Sequence, residues 1–220
     1  MNDVNICVCK KYYSGNVLKR IFDIYTDNFE KYIRIPKNVI KNRLKNNIYE
    51  LNIIKKNKEI IGFSFVVIFK KYKFIFIDYI AIAKEYHGRG YGKLLFNHIF
   101  NHYISQNNIE TSLILECENS LLNMYKKWGC SKIPILYDLN NLELNLMIKS
   151  NSNSNLNSDV YCVIKNELLN LNERYLGKKL IIQISSINYD SKFMENINLY
   201  IYSLLRDVYC TSRIWKKYVI

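Results

Sequence analysis

The stretch Ile80-Ala81-Ile82-Ala83-Lys84-Glu85-Tyr86-His87-Gly88-Arg89-Gly90-Tyr91-Gly92-Lys93-Leu94-Leu95 decides the fold. It runs from a strand-like segment through a turn into three glycines at alternate positions, then into an apolar helical pattern. Alternate glycines let main-chain amides turn inward without Cβ clashes. A helix that begins there adds unpaired N–H groups and the positive end of its dipole, and both suit a diphosphate. Arg89 and Lys93 add positive charge at the mouth.

Composition makes this segment stand out. The chain has seven glycines, and three of them are Gly88, Gly90 and Gly92. Its only alanines are Ala81 and Ala83. Small residues are scarce everywhere else, so backbone geometry is the simplest reason for keeping them here. Lysine, asparagine, isoleucine and tyrosine abound, as an AT-rich coding sequence would bias them. The net charge of +13 has two open sources, that coding bias or a functional basic surface, and the bias is the stronger. Nucleic acid is therefore not the favoured partner.

Upstream of the loop, Val4 to Cys9 alternates like a strand, and Val17 to Tyr32 has helical spacing. Pro36 opens a second helical stretch to about Leu44. Ile48 to Lys55, Ile60 to Lys70 and Tyr72 to Ala83 read as an antiparallel meander. Downstream, Tyr91 to Gln106 is helical and Ser112 to Cys117 is a short strand. Asn119 to Trp128 is a helix stopped by Gly129. Ile133 to Tyr137 and Leu142 to Ile148 close the pattern as a strand pair. The order is β-α-α-β-β-β-α-β-α-β-β, an α/β (α+β) fold with a mixed, mostly antiparallel sheet.

Residues 1–149 are expected to form one domain, and 150–158, rich in asparagine and serine, a linker or loop insertion. Residues 159–220 form a small C-terminal extension, with helices expected over Val160 to Tyr175 and Phe193 to Cys210 and a strand over Lys179 to Ile187. No apolar run reaches the ~18 residues of a membrane span. The first residues carry no basic segment followed by an apolar one, so an intracellular protein, cytoplasmic or nuclear, is expected.

The loop is not a common phosphate loop. A nucleoside-triphosphatase loop needs Gly-Lys-Ser/Thr, and here Leu94 follows Gly92-Lys93. A dinucleotide fingerprint needs Gly-x-Gly-x-x-Gly in a parallel unit, and here the spacing is Gly-x-Gly-x-Gly after a meander. The segment instead resembles motif A of the GNAT superfamily of N-acetyltransferases, Gln/Arg-x-x-Gly-x-Gly/Ala. The departure is His87, where the family has glutamine or arginine, so main-chain amides are expected to carry the phosphate grip. The element order over residues 3–149 is also similar to the family's.

That resemblance implies acetyl-coenzyme A as acyl donor and an amine as acceptor. It implies donor binding by Ile80, Ala81, Ile82, His87, Gly88, Arg89, Gly90, Tyr91, Gly92 and Lys93. The run Leu121-Leu122-Asn123-Met124-Tyr125-Lys126-Lys127-Trp128-Gly129-Cys130 is similar to the family's Ala-x-x-x-Tyr-x-x-x-Gly-Phe helix. It implies that Tyr125 gives a proton to the departing thiolate. Asn119 either caps that helix or touches the donor. Asp78, two and four residues before Ile80 and Ile82, is the candidate base by position, with Glu116 second. A water chain can do the same work. A GNAT-fold module that binds an acyl-coenzyme A without turnover is the alternative reading.

Lys37, Lys41, Arg43 and Lys45 make the region before the meander basic, which suits an anionic acceptor such as an amino-sugar phosphate, or the acidic peptide of a protein. No metal is expected. Cys7 and Cys9 have no second cysteine pair, and His98 and His102 have no third ligand in evidence. Both pairs read as packing.

Overall fold

The computed structural model describes residues 4–9, 14–69, 74–105, 112–139, 142–150 and 183–184. The elements are β1 (Val4–Cys9), α1 (Gly15–Asn28), α2 (Lys37–Lys45), β2 (Glu50–Lys56), β3 (Glu59–Phe69), β4 (Phe74–Ile82) and α3 (Tyr91–Phe100). They continue as β5 (Ser112–Glu118), α4 (Leu122–Lys127), β6 (Ser131–Leu139), β7 (Leu142–Ser150) and a two-residue β8 (Gln183–Ile184). Through β7 this is the order the sequence implies. The helices expected in the tail, and the linker beyond Ser150, lie outside the described residues.

The chain divides into two compact units, Met1–Glu116 with Ile148–Asn151, and Cys117–Met147 with Ser152–Ile220. In the first unit the strands lie in the order β1-β2-β3-β4-β5. The first three pairings are antiparallel and β4–β5 is parallel. In the second, β6 lies between β7 and β8 and pairs with β8 antiparallel.

Local chemistry accounts for the elements. Ser14 caps α1 by accepting from Val17 N–H at 3.3 Å. Ile21, Phe22, Ile24 and Tyr25 form its buried face. Pro36 precedes α2, and Asn47, with φ 54°, follows its end. Asn57 (φ 48°) and Lys58 (φ 70°) are both left-handed between β2 and β3. That is the backbone of a two-residue hairpin turn whose twist matches the strands. α3 runs on without a break into a π-helical turn over Asn101–Ser105, so the helical run reaches the last described residue of the expected stretch. α4 is likewise preceded by a 3-10 turn, Asn119–Leu121.

The first unit's sheet is buried on both faces. Leu51, Ile53, Phe63, Phe65, Tyr79 and Ala81 meet α1 and α2 in one core cluster. The other face carries Asn52, whose side chain donates to Tyr103 Oη at 3.2 Å just beyond α3. Among the described residues, no helix is long and apolar enough to cross a membrane.

Candidate active site

Strand β4 changes character at Asp78. Against β3, Val66 pairs with Ile77 and Phe65 with Tyr79, so Asp78 is an extra residue without a ladder partner. Against β5, the last parallel pair is Ile77 with Leu115. From Tyr79 to Ile82, β4 is therefore paired on its β3 edge alone among the described pairings. A strand in that state offers main-chain donors and acceptors to an extended ligand. Gly62 lets the two strands close up here. A Cβ on it would lie 2.5 Å from Ile82 Cδ1 and 2.7 Å from the Ala81 carbonyl oxygen.

The bulge also overturns one expectation. Simple alternation would put Asp78 on the face of Ile80 and Ile82. The extra residue breaks that alternation, and Asp78 shares the side of Tyr79. Its carboxylate accepts from the Tyr49 hydroxyl. Tyr49 stacks on Phe65 with centroids 5.2 Å apart, and Phe65 is the cross-strand partner of Tyr79. Arg43 Nη1 lies 3.4 Å from Asp78 Oδ2 and also donates to the Tyr49 hydroxyl oxygen. Burial raises the proton affinity of Asp78, while Tyr49 and Arg43 oppose part of that rise. The sequence marks Arg43 only as one of the cations before the meander, and it does not single out Tyr49. Their signal is a bulge, which a period-two pattern does not encode.

After Ile82 the chain turns sharply. Ala83 N–H donates to Ile61 O at 2.8 Å, and a 3-10 turn covers Lys84–Tyr86. His87 N–H donates to Lys84 O at 3.1 Å, and its Nε2 lies 2.7 Å from Ile82 O. A carbonyl can only accept, so Nε2 carries a proton. Both groups of His87 are thus spent on the protein, which leaves the amides that follow. Gly88 and Gly90 have φ of 73° and 80°. An added Cβ would meet nothing within 4 Å at either, so the loop faces open space and the constraint is conformational. The first helical bond of α3 is Leu94 N–H to Gly90 O at 3.0 Å. The N–H groups of Tyr91, Gly92 and Lys93 in its first turn have no partner within the helix.

The charge around this loop is positive because its acids are taken up. Arg20 pairs with Glu85 at 2.8 Å and with Glu59 at 3.2 Å. The Tyr86 hydroxyl donates to Glu59 at 2.8 Å. Arg89 lies 5.7 Å from the Tyr86 ring centroid, and Lys56 sits over Tyr86 and Tyr91 at 5.8 and 5.7 Å.

Tyr125 and Asn119 belong to the second unit. Tyr125 is 5% exposed, edge-on to Trp128 with centroids 5.1 Å apart. Burial, then the neighbouring Cys117 and Cys130 thiols, push its hydroxyl well above the ordinary tyrosine range. Gly129, at φ 87°, ends the turn, and Cys130 N–H returns to Tyr125 O at 3.0 Å. Asn119 does not cap a helix. No side chain caps either the 3-10 turn or α4. Its Oδ1 instead accepts from Asn145 Nδ2 at 2.9 Å, and Asn145 also donates to Cys117 O at 3.3 Å.

The other candidates divide. Glu116 is half-buried and follows the last β4–β5 pair. His98 and His102 stack with rings 6.0 Å apart and 3° from parallel, and burial lowers the pKa of His98. Among the described residues, no group of three metal-ligating side chains comes together. Three of the four cations before the meander are engaged within the protein. Lys37 and Lys41 sit 5.4 and 5.8 Å from the Phe22 ring centroid, and Arg43 is buried against Asp78.

Residues 18–130 match the Acetyltransferase (GNAT) family. No curated protein matches the sequence. Solved structures are similar in fold. The ribosomal-protein-S18-alanine N-acetyltransferase of Escherichia coli is 14% identical with a TM-score of 0.53, over 71% of this chain and 99% of that one. The spermidine/spermine N-acetyltransferase of Vibrio cholerae is 15% identical with a TM-score of 0.53, over 67% and 92%. Ard1 of Thermoplasma volcanium is 15% identical with a TM-score of 0.54, over 67% and 97%.

Proposed function

Because the chain belongs to the acetyltransferase (GNAT) family, we propose that it moves the acetyl group of acetyl-coenzyme A onto an amine by direct attack in a ternary complex. The observation that carries this reading is the half-paired segment Tyr79–Ile82 leading into the open, positive-φ loop Gly88–Gly90. The diphosphate meets the amides from Gly88 to Lys93, with Arg89 and Lys93 adding charge. The pantetheine arm lies along Ile80, Ala81 and Ile82 as an added strand. Main-chain N–H there faces the thioester oxygen, where such a donor is worth about 10²–10³ in rate. His87 supports the loop from behind.

In the reaction the amine nitrogen attacks the thioester carbon and the C–S bond breaks. The amine's proton goes to Asp78, and the sulfur takes a proton from Tyr125. Burial makes the Asp78 carboxylate more basic than usual, which suits a base; it keeps the Tyr125 hydroxyl protonated but a weaker acid, so its proton moves only as charge builds on the departing sulfur. Two oriented partners remove much of the barrier that a bimolecular encounter carries.

Arg43 is buried against Asp78 and is not available to an acceptor, while Lys37 and Lys41 stay exposed beside Phe22 and still suit an anionic one. The structural neighbours named for spermidine and for a ribosomal protein's alanine widen the field to polyamines and peptide amines. The test is thiol release from acetyl-coenzyme A against spermidine, glucosamine 6-phosphate and a peptide with a free amino terminus. Acceptor-dependent release with at least one is expected. Tight donor binding with no release from any amine would favour a non-catalytic acyl-coenzyme A module.

A further inference from the structure

Two sealed side chains that the proposed reaction does not use converge on Asp78. Arg43 comes from the last turn of α2 and is 4% exposed. Tyr49 directly precedes β2 and is 2% exposed. Each touches the other and the Asp78 carboxylate, so the three close a triangle. The bonds run to a single oxygen, Oδ2, and the Asp78 side chain is 16% exposed. The partners are almost wholly closed off, and the Asp78 side chain is the least buried of the three.

We infer that Tyr49 and Arg43 are positioning residues, which aim the Asp78 carboxylate and hold it ionised to receive the acceptor's proton. This rests on Asp78 serving as the base. Groups from every packed element face the carboxylate: Arg43 from α2, Tyr49 ahead of β2, Tyr79 on β4, and Tyr25 from α1. Burial pushes the Tyr49 and Tyr79 hydroxyls well above their ordinary range and Tyr25 up to about 12, and the Asp78 charge adds to each rise. Arginine stays charged throughout. Asp78 is then the member of this set that changes charge in a working assay.

The sign follows from the bonds. The Tyr49 hydroxyl donates to the ionised carboxylate and the Arg43 charge stabilises it, so each lowers the proton affinity that burial raises. Removing either makes Asp78 hold its proton to higher pH. A rate that needs ionised Asp78 then rises later on the pH scale.

The experiment compares the full-length parent with Tyr49→Phe, Arg43→Gln and Asp78→Asn. The assay uses acetyl-coenzyme A and the fastest acceptor from the panel above. The acceptor's own ionisation is common to all and drops out of the comparison. Tyr49→Phe should move the acid limb of kcat up by about one unit, with KM for acetyl-coenzyme A unchanged. Arg43→Gln should move it the same way. A carbon-13 titration of the Asp78 carboxyl, assigned through Asp78→Asn, reads the same shift without turnover in any variant that folds. An unmoved limb and an unmoved carboxyl signal overturn the inference and leave Asp78 as base, provided Asp78→Asn loses its rate. Full rate in Asp78→Asn overturns the base assignment and the inference together.

Discussion

The ring Nε2 of His87 lies 2.7 Å from the main-chain oxygen of Ile82, so the first residue of the glycine loop is tied back to the last residue of β4. The two are five positions apart in the chain, and the bond closes the turn between strand and loop. The amides of the glycine loop and the strand that leads into it are thereby held as one piece. A glutamine side chain could make the same donation, which gives a physical reason why histidine is tolerated there.

His87→Ala should therefore weaken acetyl-coenzyme A binding without altering kcat. One net hydrogen bond of about 0.5–1.5 kcal/mol corresponds to a Kd raised roughly 2–12-fold. His87→Gln should restore most of the loss. Calorimetric titration of the three proteins checks this, and equal weakening by alanine and glutamine would sink it.

Gly90→Ala should cost about 1–2 kcal/mol of stability, because φ is 80° and a Cβ strains that backbone. No neighbour lies within 4 Å, so the cost comes from conformation and not from a clash. Denaturant unfolding measures it. A neutral outcome would mean that the loop relaxes out of the left-handed region.

Gly62→Ala should be worse for a different reason. Its backbone is ordinary, but the new Cβ would sit 2.7 Å from the Ala81 carbonyl oxygen. Overpacking of that kind costs about 1–3 kcal/mol, and here it pushes β4 away from β3. The melting temperature should fall, and acetyl-coenzyme A binding should weaken with it.

Tyr125→Phe should lower kcat by roughly 10²-fold and leave KM for acetyl-coenzyme A nearly unchanged, the range of a lost general acid. The ring still fills its place against Trp128. Equal losses in kcat and in donor affinity would make Tyr125 a packing residue.

The element order was legible because each segment carries its own period: alternation in β1 and the meander, helical spacing in α1 and α3. The loop was legible because Gly88 and Gly90 sit where only glycine is comfortable. What escaped was non-local. The bulge at Asp78 depends on the register of β3 against β4, and no residue in the strand announces it. Arg43 looked like a surface cation until α2 turned it inward onto Asp78 and Tyr49. Asn119 looked like a helix cap because asparagine before a helix often is one, and its bond to Asn145 crosses 26 residues.

The central claim is that the loop from Gly88 to Lys93 receives acetyl-coenzyme A. Calorimetric titration of acetyl-coenzyme A into the parent and into Gly90→Glu tests it most directly. A carboxylate placed among these amides would repel the diphosphate that the claim assigns to them. Saturable binding to the parent and none to a folded Gly90→Glu is the predicted result. No binding to the parent at millimolar ligand, or equal binding to both proteins, would contradict it.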